Sequence, residues 1–166
     1  MAGNRKIIVA EMAVAAVWTW VALKVVPGWL DLADRSFVET ALTVFLAPGL
    51  VLAAMVLTVG LHRFLGLDAL EGGSFRGQHA AINQRVLINT TEQLVLGVTI
   101  WPAAAWHLGD QGPGVLTAMS LSFVVARIFF WIGYHIRPEL RAFGFAATFY
   151  PTVVLGIWGL VRALGA

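Results

Sequence analysis

The chain is organised by apolar runs of about 20 residues, the length a helix needs to cross the hydrocarbon core of a bilayer. The first extends from Ile7 to Val26, and four more follow: Phe37 to Phe64, about Gln78 to His107, Val115 to His135 and Phe143 to Leu164. In lipid each backbone N–H and C=O must be satisfied inside its own segment or in a closed barrel, so helical runs of this kind predict an all-α membrane protein. Composition agrees: 59% of the 166 residues are hydrophobic and 12% are charged, against roughly 25% charged in a soluble domain. Arg5 and Lys6 ahead of the first run also suit a secretory signal. That run is longer than a signal core, and no small-residue cleavage site separates it from the polar stretch Asp31 to Arg35, so a permanent helix is expected.

The few charges then report orientation. With the N-terminus in the cytoplasm, Arg5, Lys6, Arg63, Arg76, Arg137 and Arg141 gather on one side, and only Lys24, Arg35 and Arg162 on the other, beside Asp31, Asp34, Glu39 and Asp110. This follows the positive-inside rule for five spans, and an even number would destroy it. The net charge of +2 is too small an excess to point to a nucleic-acid partner. Cysteine is absent, which excludes disulfides, Cys-ligated metal and a cysteine nucleophile, so thiol chemistry would need a thiol from the substrate. Trp18, Trp20, Trp29, Trp101 and Trp106 fall toward the predicted outer ends, as headgroup anchors do. Pro48, Pro102 and Pro151 are expected to kink their helices. Gly66 to Gly77 reads as a flexible turn, without the strand context or spacing of a dinucleotide loop.

The third run opens on polar residues. Arg85, Asn89 and Glu92 are spaced i, i+4, i+7 and share one helix face. In the fourth run Arg127 and Tyr134, with Arg141 just beyond, are seven apart, a spacing that drifts only about 20° per step, and Phe130 falls on the same stripe. A charge in hydrocarbon costs roughly 2.5–3.5 kcal/mol even on the lenient insertion scale, so such residues face protein or a wet cavity. One reading is interhelical glue, with Arg127 paired to Glu92 and Asn89 bridging helices. The other is a site for a small anionic ligand near the cytoplasmic boundary: arginine forks grip carboxylates, Asn both donates and accepts, and Glu holds an ammonium group. Free amino acids and small peptides fit that chemistry.

These residues carry a family resemblance. The string Arg85-x-x-x-Asn89-x-x-Glu92, followed by Arg127-x-x-x-x-x-Gly133-Tyr134 and Pro138-x-x-Arg141, resembles the membrane-associated proteins in eicosanoid and glutathione metabolism (MAPEG), which include the microsomal glutathione transferases. The resemblance covers roughly Phe37 to Leu164. It implies a four-helix transmembrane bundle over residues 37–166, preceded by an additional N-terminal transmembrane helix and outward loop over 1–36, with the bundle assembled as a homotrimer. It further implies glutathione as co-substrate, held near the cytoplasmic side by Arg85, Asn89, Glu92, Arg127 and Tyr134, with Arg63 reaching toward a neighbouring subunit's site. Arg141 matches the arginine that stabilises the glutathione thiolate. The implied activity is that of a transferase or peroxidase acting on lipophilic electrophiles that arrive through the bilayer. A fixed cation lowers a thiol pKa and so supplies thiolate without a protein base. Phe130 stands where several family enzymes have a tyrosine and Gln93 where the leukotriene-forming branch has an aromatic, so no substrate preference carries over. Ala80-Ala81-Ile82-Asn83 likewise replaces the acidic and basic residues that often precede the motif arginine. The family also contains a member that binds a substrate for a partner enzyme, so a non-catalytic lipid-binding scaffold is the alternative.

His62, His79, His107 and His135 lack metal-ligand spacing, and no metal is expected. Glu11 stands alone within the first run: Lys24, thirteen residues on, lies about 20 Å away along a helix.

Overall fold

The computed structural model describes residues 2–65 and 78–165, and every regular element among them is helical. Arg76 and the turn expected at Gly66 to Gly77 lie outside the described residues. The long helices are α1 (Ala2–Trp20), α4 (Leu46–Leu65), α5 (Gln78–Trp106), α6 (Gly112–Ile136) and α7 (Arg141–Ala163). Two short ones, α2 (Val26–Leu30) and α3 (Phe37–Thr43), complete the first two spans. Among the described residues, four spans are long and apolar enough to cross a membrane: Arg5–Leu30, Phe37–Leu65, Gly109–Ile136 and Arg141–Ala163. The 29-residue α5 is as long but more polar, because it carries the Gln84 to Gln93 segment. The fold is an all-α membrane bundle in which α4 to α7 pack together and α1 lies along α7.

Sequence explains where the helices break. Pro48 has no N–H to return to the carbonyl of Val44, and its ring crowds that position. The chain accordingly leaves α3 and re-enters helix at Leu46, and the freed Val44 carbonyl accepts from the Ser120 hydroxyl of α6 at 2.6 Å. Ahead of Pro27, α1 widens into one π-helical stretch, Val21–Val25. Pro102 and Pro151 lie inside α5 and α7, which run through them as single helices.

The core falls into layers along the bundle. At one end Trp101, Phe123, Leu155, Met119 and Leu116 are buried together. Trp101 is therefore no headgroup anchor: it is 1% exposed and donates to Thr152 Oγ1 at 3.0 Å, because its side of α5 faces the bundle. Trp18 also turns inward and donates to Ser122 Oγ at 2.6 Å, whereas Trp20, Trp29 and Trp106 are exposed as expected. At the other end Met55, Ile82, Val86, Phe130 and Tyr134 form a second layer. Between α1, α6 and α7 the contact is made by Ala15, Ala126, Ala146 and Ala147, small residues that let membrane helices approach closely. Outward-facing leucines such as Leu42 and Leu50 are more than 70% exposed, a surface suited to lipid and not to water.

Candidate functional site

At the end of the bundle where α5 begins and α6 ends, a cavity of about 710 Å³ opens between α1, α5, α6 and α7. Arg85 and Asn89 enter from α5, Tyr134 and Phe130 from α6, and Arg141, Ala142 and Phe145 from α7. Glu139 of the connecting turn and Ile8 of α1 complete the wall. The connection Arg137 to Leu140 is short enough to fold α7 back along α6, and Gly133 makes that possible. A Cβ there would stand 2.7 Å from the Leu140 carbonyl. The tight reversal brings Arg141 beside Tyr134: Arg141 Nη1 donates to the Tyr134 hydroxyl oxygen at 2.6 Å, with the guanidinium carbon 4.8 Å from the ring centroid. The phenolic proton is left free to donate elsewhere, and so are the remaining N–H groups of the arginine.

Arg127 lies behind this wall and not in it. Its side chain is 0% exposed, and it donates to Asn89 Oδ1 at 2.9 Å, to Thr148 Oγ1 at 2.7 Å and to the Gly144 carbonyl. Phe130 lies under the guanidinium, 4.6 Å from ring centroid to carbon. Gly144 permits this contact between helices, since a Cβ would come within 2.5 Å of Phe130 Cβ. The Arg127–Glu92 pair considered from sequence is replaced by a relay in which Asn89 accepts from Arg127 and donates through Nδ2 to Glu92 Oε2 at 3.4 Å. Arg127 thus fixes Asn89, and Asn89 presents its outer edge to the cavity. Two buried polar atoms, Arg127 Nε and Thr90 Oγ1, have no partner among the described residues.

The other expected residues lie further out. Glu92 is exposed on α5 outside the cavity wall. Arg63, at the end of α4, donates to Gln84 Oε1 at 3.3 Å, away from the cavity. Beside it is a polar cluster that the sequence did not announce. Asn83 is buried, and its Oδ1 accepts from Trp131 Nε1 at 2.8 Å and meets His135 Nε2 at 2.7 Å, while its Nδ2 meets His62 Nε2 at 2.9 Å. His135 Nδ1 lies 3.0 Å from His79 Nδ1. An amide oxygen can only accept, so His135 donates through Nε2, and the facing Nδ1 atoms of His135 and His79 share one N–H. His62 receives the Asn83 amide proton on Nε2. Asn83 and the three histidines thus tie α4, α5 and α6 together. Among the described residues no group of three His, Cys, Asp or Glu side chains is arranged to hold a metal ion.

The sequence stripes missed Ile8, Ala142 and Phe145, apolar residues with nothing to distinguish them from lipid-facing neighbours. Glu139 could have been found as the lone acid in the turn before Arg141. Thr148 and Gly144, which anchor Arg127, follow from its need for acceptors inside hydrocarbon.

The profile of the MAPEG family matches residues 38–161, which takes in α4 to α7 and every polar residue of the cavity. The chain belongs to the MAPEG family. Neither the curated proteins nor the solved structures gave a match. As a MAPEG protein it is an integral, multi-pass membrane protein related to glutathione and eicosanoid metabolism. Its α1 lies outside the matched stretch.

Proposed function

We propose that this MAPEG protein is a glutathione-dependent transferase or peroxidase acting on lipophilic electrophiles. The observation that carries the reading is the cavity wall, which combines the polar side chains Arg85, Asn89, Tyr134 and Arg141 with the apolar Ile8, Phe130 and Phe145. A tripeptide with two carboxylates, an ammonium group and a thiol matches these polar groups: Arg85 takes a carboxylate, Asn89 a backbone amide, and Glu139 the ammonium. Arg141 and the Tyr134 hydroxyl then donate to the sulfur. The thiol proton leaves to solvent, and the thiolate attacks an electrophilic carbon to form a C–S bond as the leaving group departs with its electron pair. With a hydroperoxide the thiolate attacks the terminal oxygen, the O–O bond breaks and the departing alkoxide takes a proton from solvent to leave as alcohol, and the thiol of a second glutathione displaces water from the sulfenic product to give the disulfide. Holding an amphiphile and a peptide in one interfacial cavity supplies proximity, which can account for several kcal/mol of a bimolecular barrier.

The positive-inside asymmetry supports a cytoplasmic location for this end of the bundle and for the N-terminus. Assembly as a homotrimer belongs to the same reading: Glu92 is exposed on α5 outside the cavity wall, and another copy would give it a protein neighbour. Phe130 favours the competing reading of a non-catalytic lipid-binding scaffold, since it offers a ring where a hydroxyl could have served. Purified protein in lipid nanodiscs, given glutathione with a hydrophobic aryl halide and separately with a lipid hydroperoxide, decides between them. Turnover of either supports the enzyme, whereas lipid binding without glutathione binding supports the scaffold.

A further inference from the structure

The α1 helix stands outside the family match, yet it reaches the candidate site at two points. The first concerns the start of α7. That helix begins at Arg141, and its N-cap residue Leu140 makes no side-chain capping bond, so the first-turn N–H groups need partners from elsewhere. The N–H of Phe143 donates to Glu11 Oε2 at 3.0 Å, across 132 positions of sequence. A carboxylate at a helix N-terminus is favoured by the hydrogen bond and by the positive end of the helix dipole together. This explains why an apolar span carries a glutamate, a residue that in hydrocarbon is costly without a partner. The second point is Ile8, about one turn earlier on α1, which lines the cavity together with Arg85, Tyr134 and Arg141. Glu11 and Phe143 themselves line an apolar groove of about 530 Å³ between α1 and Phe129 and Ile132 of α6, so α1 borders both this groove and the cavity.

We propose that α1 is a working part of the site: Glu11 is a positioning residue that fixes the first turn of α7 and so holds Arg141 against Tyr134, and Ile8 limits the size of electrophile admitted. The proposal rests on the glutathione reading above for its reaction, but not for its geometry. Arg141 is the first residue of the helix that Glu11 caps, and a frayed first turn lets its side chain leave the Tyr134 hydroxyl.

The test uses the full chain in nanodiscs with Glu11→Ala, Glu11→Gln and Ile8→Trp. Amide hydrogen exchange over Arg141 to Gly144 is measured without glutathione, and conjugation is measured against pH with a small and a bulky electrophile. Glu11→Ala is expected to exchange faster in that turn, to lose turnover by about tenfold, the scale of a lost helix cap, and to shift its pH profile upward as the thiolate loses its cation. Glu11→Gln keeps an acceptor and is expected to restore both readings. Ile8→Trp is expected to lower turnover of the bulky electrophile several-fold more than that of the small one, with exchange over Arg141 to Gly144 unchanged. Wild-type exchange and pH profile in Glu11→Ala, or a defect that Glu11→Gln shares in full, overturns the positioning role. Equal treatment of both electrophiles by Ile8→Trp overturns the gating role and remains measurable if Glu11→Ala does not fold. Wild-type protein that turns over no glutathione overturns the parent reading, and the exchange comparison then still decides whether Glu11 caps α7.

Discussion

Arg127 and Arg141 lie on one stripe of the sequence and end in opposite surroundings. Arg127 is sealed within the bundle, with its guanidinium held by Asn89, Thr148 and the Gly144 carbonyl. Arg141 is exposed at the first turn of α7, bonded to a phenol that has its own proton to give. The same side chain therefore does two jobs. Where protein acceptors surround it, arginine is a structural cross-link that joins three helices and orients Asn89. Where some of its donors remain uncommitted beside an open cavity, it is able to bind an anion. A sequence motif that treats both as ligand-binding residues hides this division.

The largest effect expected from the division is on stability. Arg127→Met removes the donor to several buried acceptors, each of which costs about 1–3 kcal/mol when left unsatisfied. The variant should unfold at markedly lower temperature or denaturant, and a wild-type midpoint would break the structural assignment of Arg127. Next is Arg141→Ala. If Arg141 stabilises a thiolate, its loss should lower glutathione-dependent turnover by about 10²–10³-fold, as removal of a single anion-stabilising donor does, with thermal stability changed by less than about 0.5 kcal/mol. A large loss of stability with it would merge the two arginines into one class. Tyr134→Phe keeps the ring under Arg141 and removes only the hydroxyl, so about a tenfold loss of turnover with unchanged folding is expected, on the scale of one hydrogen bond to a charged group. On turnover the smallest effect is expected in the cluster next door: Asn83→Leu should cost about 1–3 kcal/mol of stability through the stranded Trp131 and histidine N–H groups, without altering the pH dependence of conjugation.

The helices were legible because the bilayer length and the apolar runs leave little choice: Phe37 to Phe64 and Val115 to His135 differ by only a few residues from the helical segments Phe37–Leu65 and Gly109–Ile136. The α5 face was legible from its i, i+4, i+7 spacing, and Arg85 and Asn89 meet Tyr134 and Arg141 in one cavity. Periodicity could not separate Arg127 from Arg141, because depth depends on which neighbouring helix covers a position, and Gly144 and Thr148 lie on another helix. Trp101 misled for the same reason: position along a helix places a tryptophan near an end, while the face it occupies decides burial. Glu11 found no partner within α1 because its partner is a backbone N–H, which no side-chain pattern displays. The histidines, without spacing of their own, are assembled by Asn83 from α4, α5 and α6.

The central claim is that the cavity beside Arg141 holds glutathione with its thiol ionised. Its most direct measurement is the ultraviolet absorbance of thiolate when glutathione is mixed at neutral pH with wild-type protein and with Arg141→Ala. A thiolate band that forms with wild type and is lost in Arg141→Ala is the predicted result. No band with wild type, or an equal band with both proteins, would contradict the account.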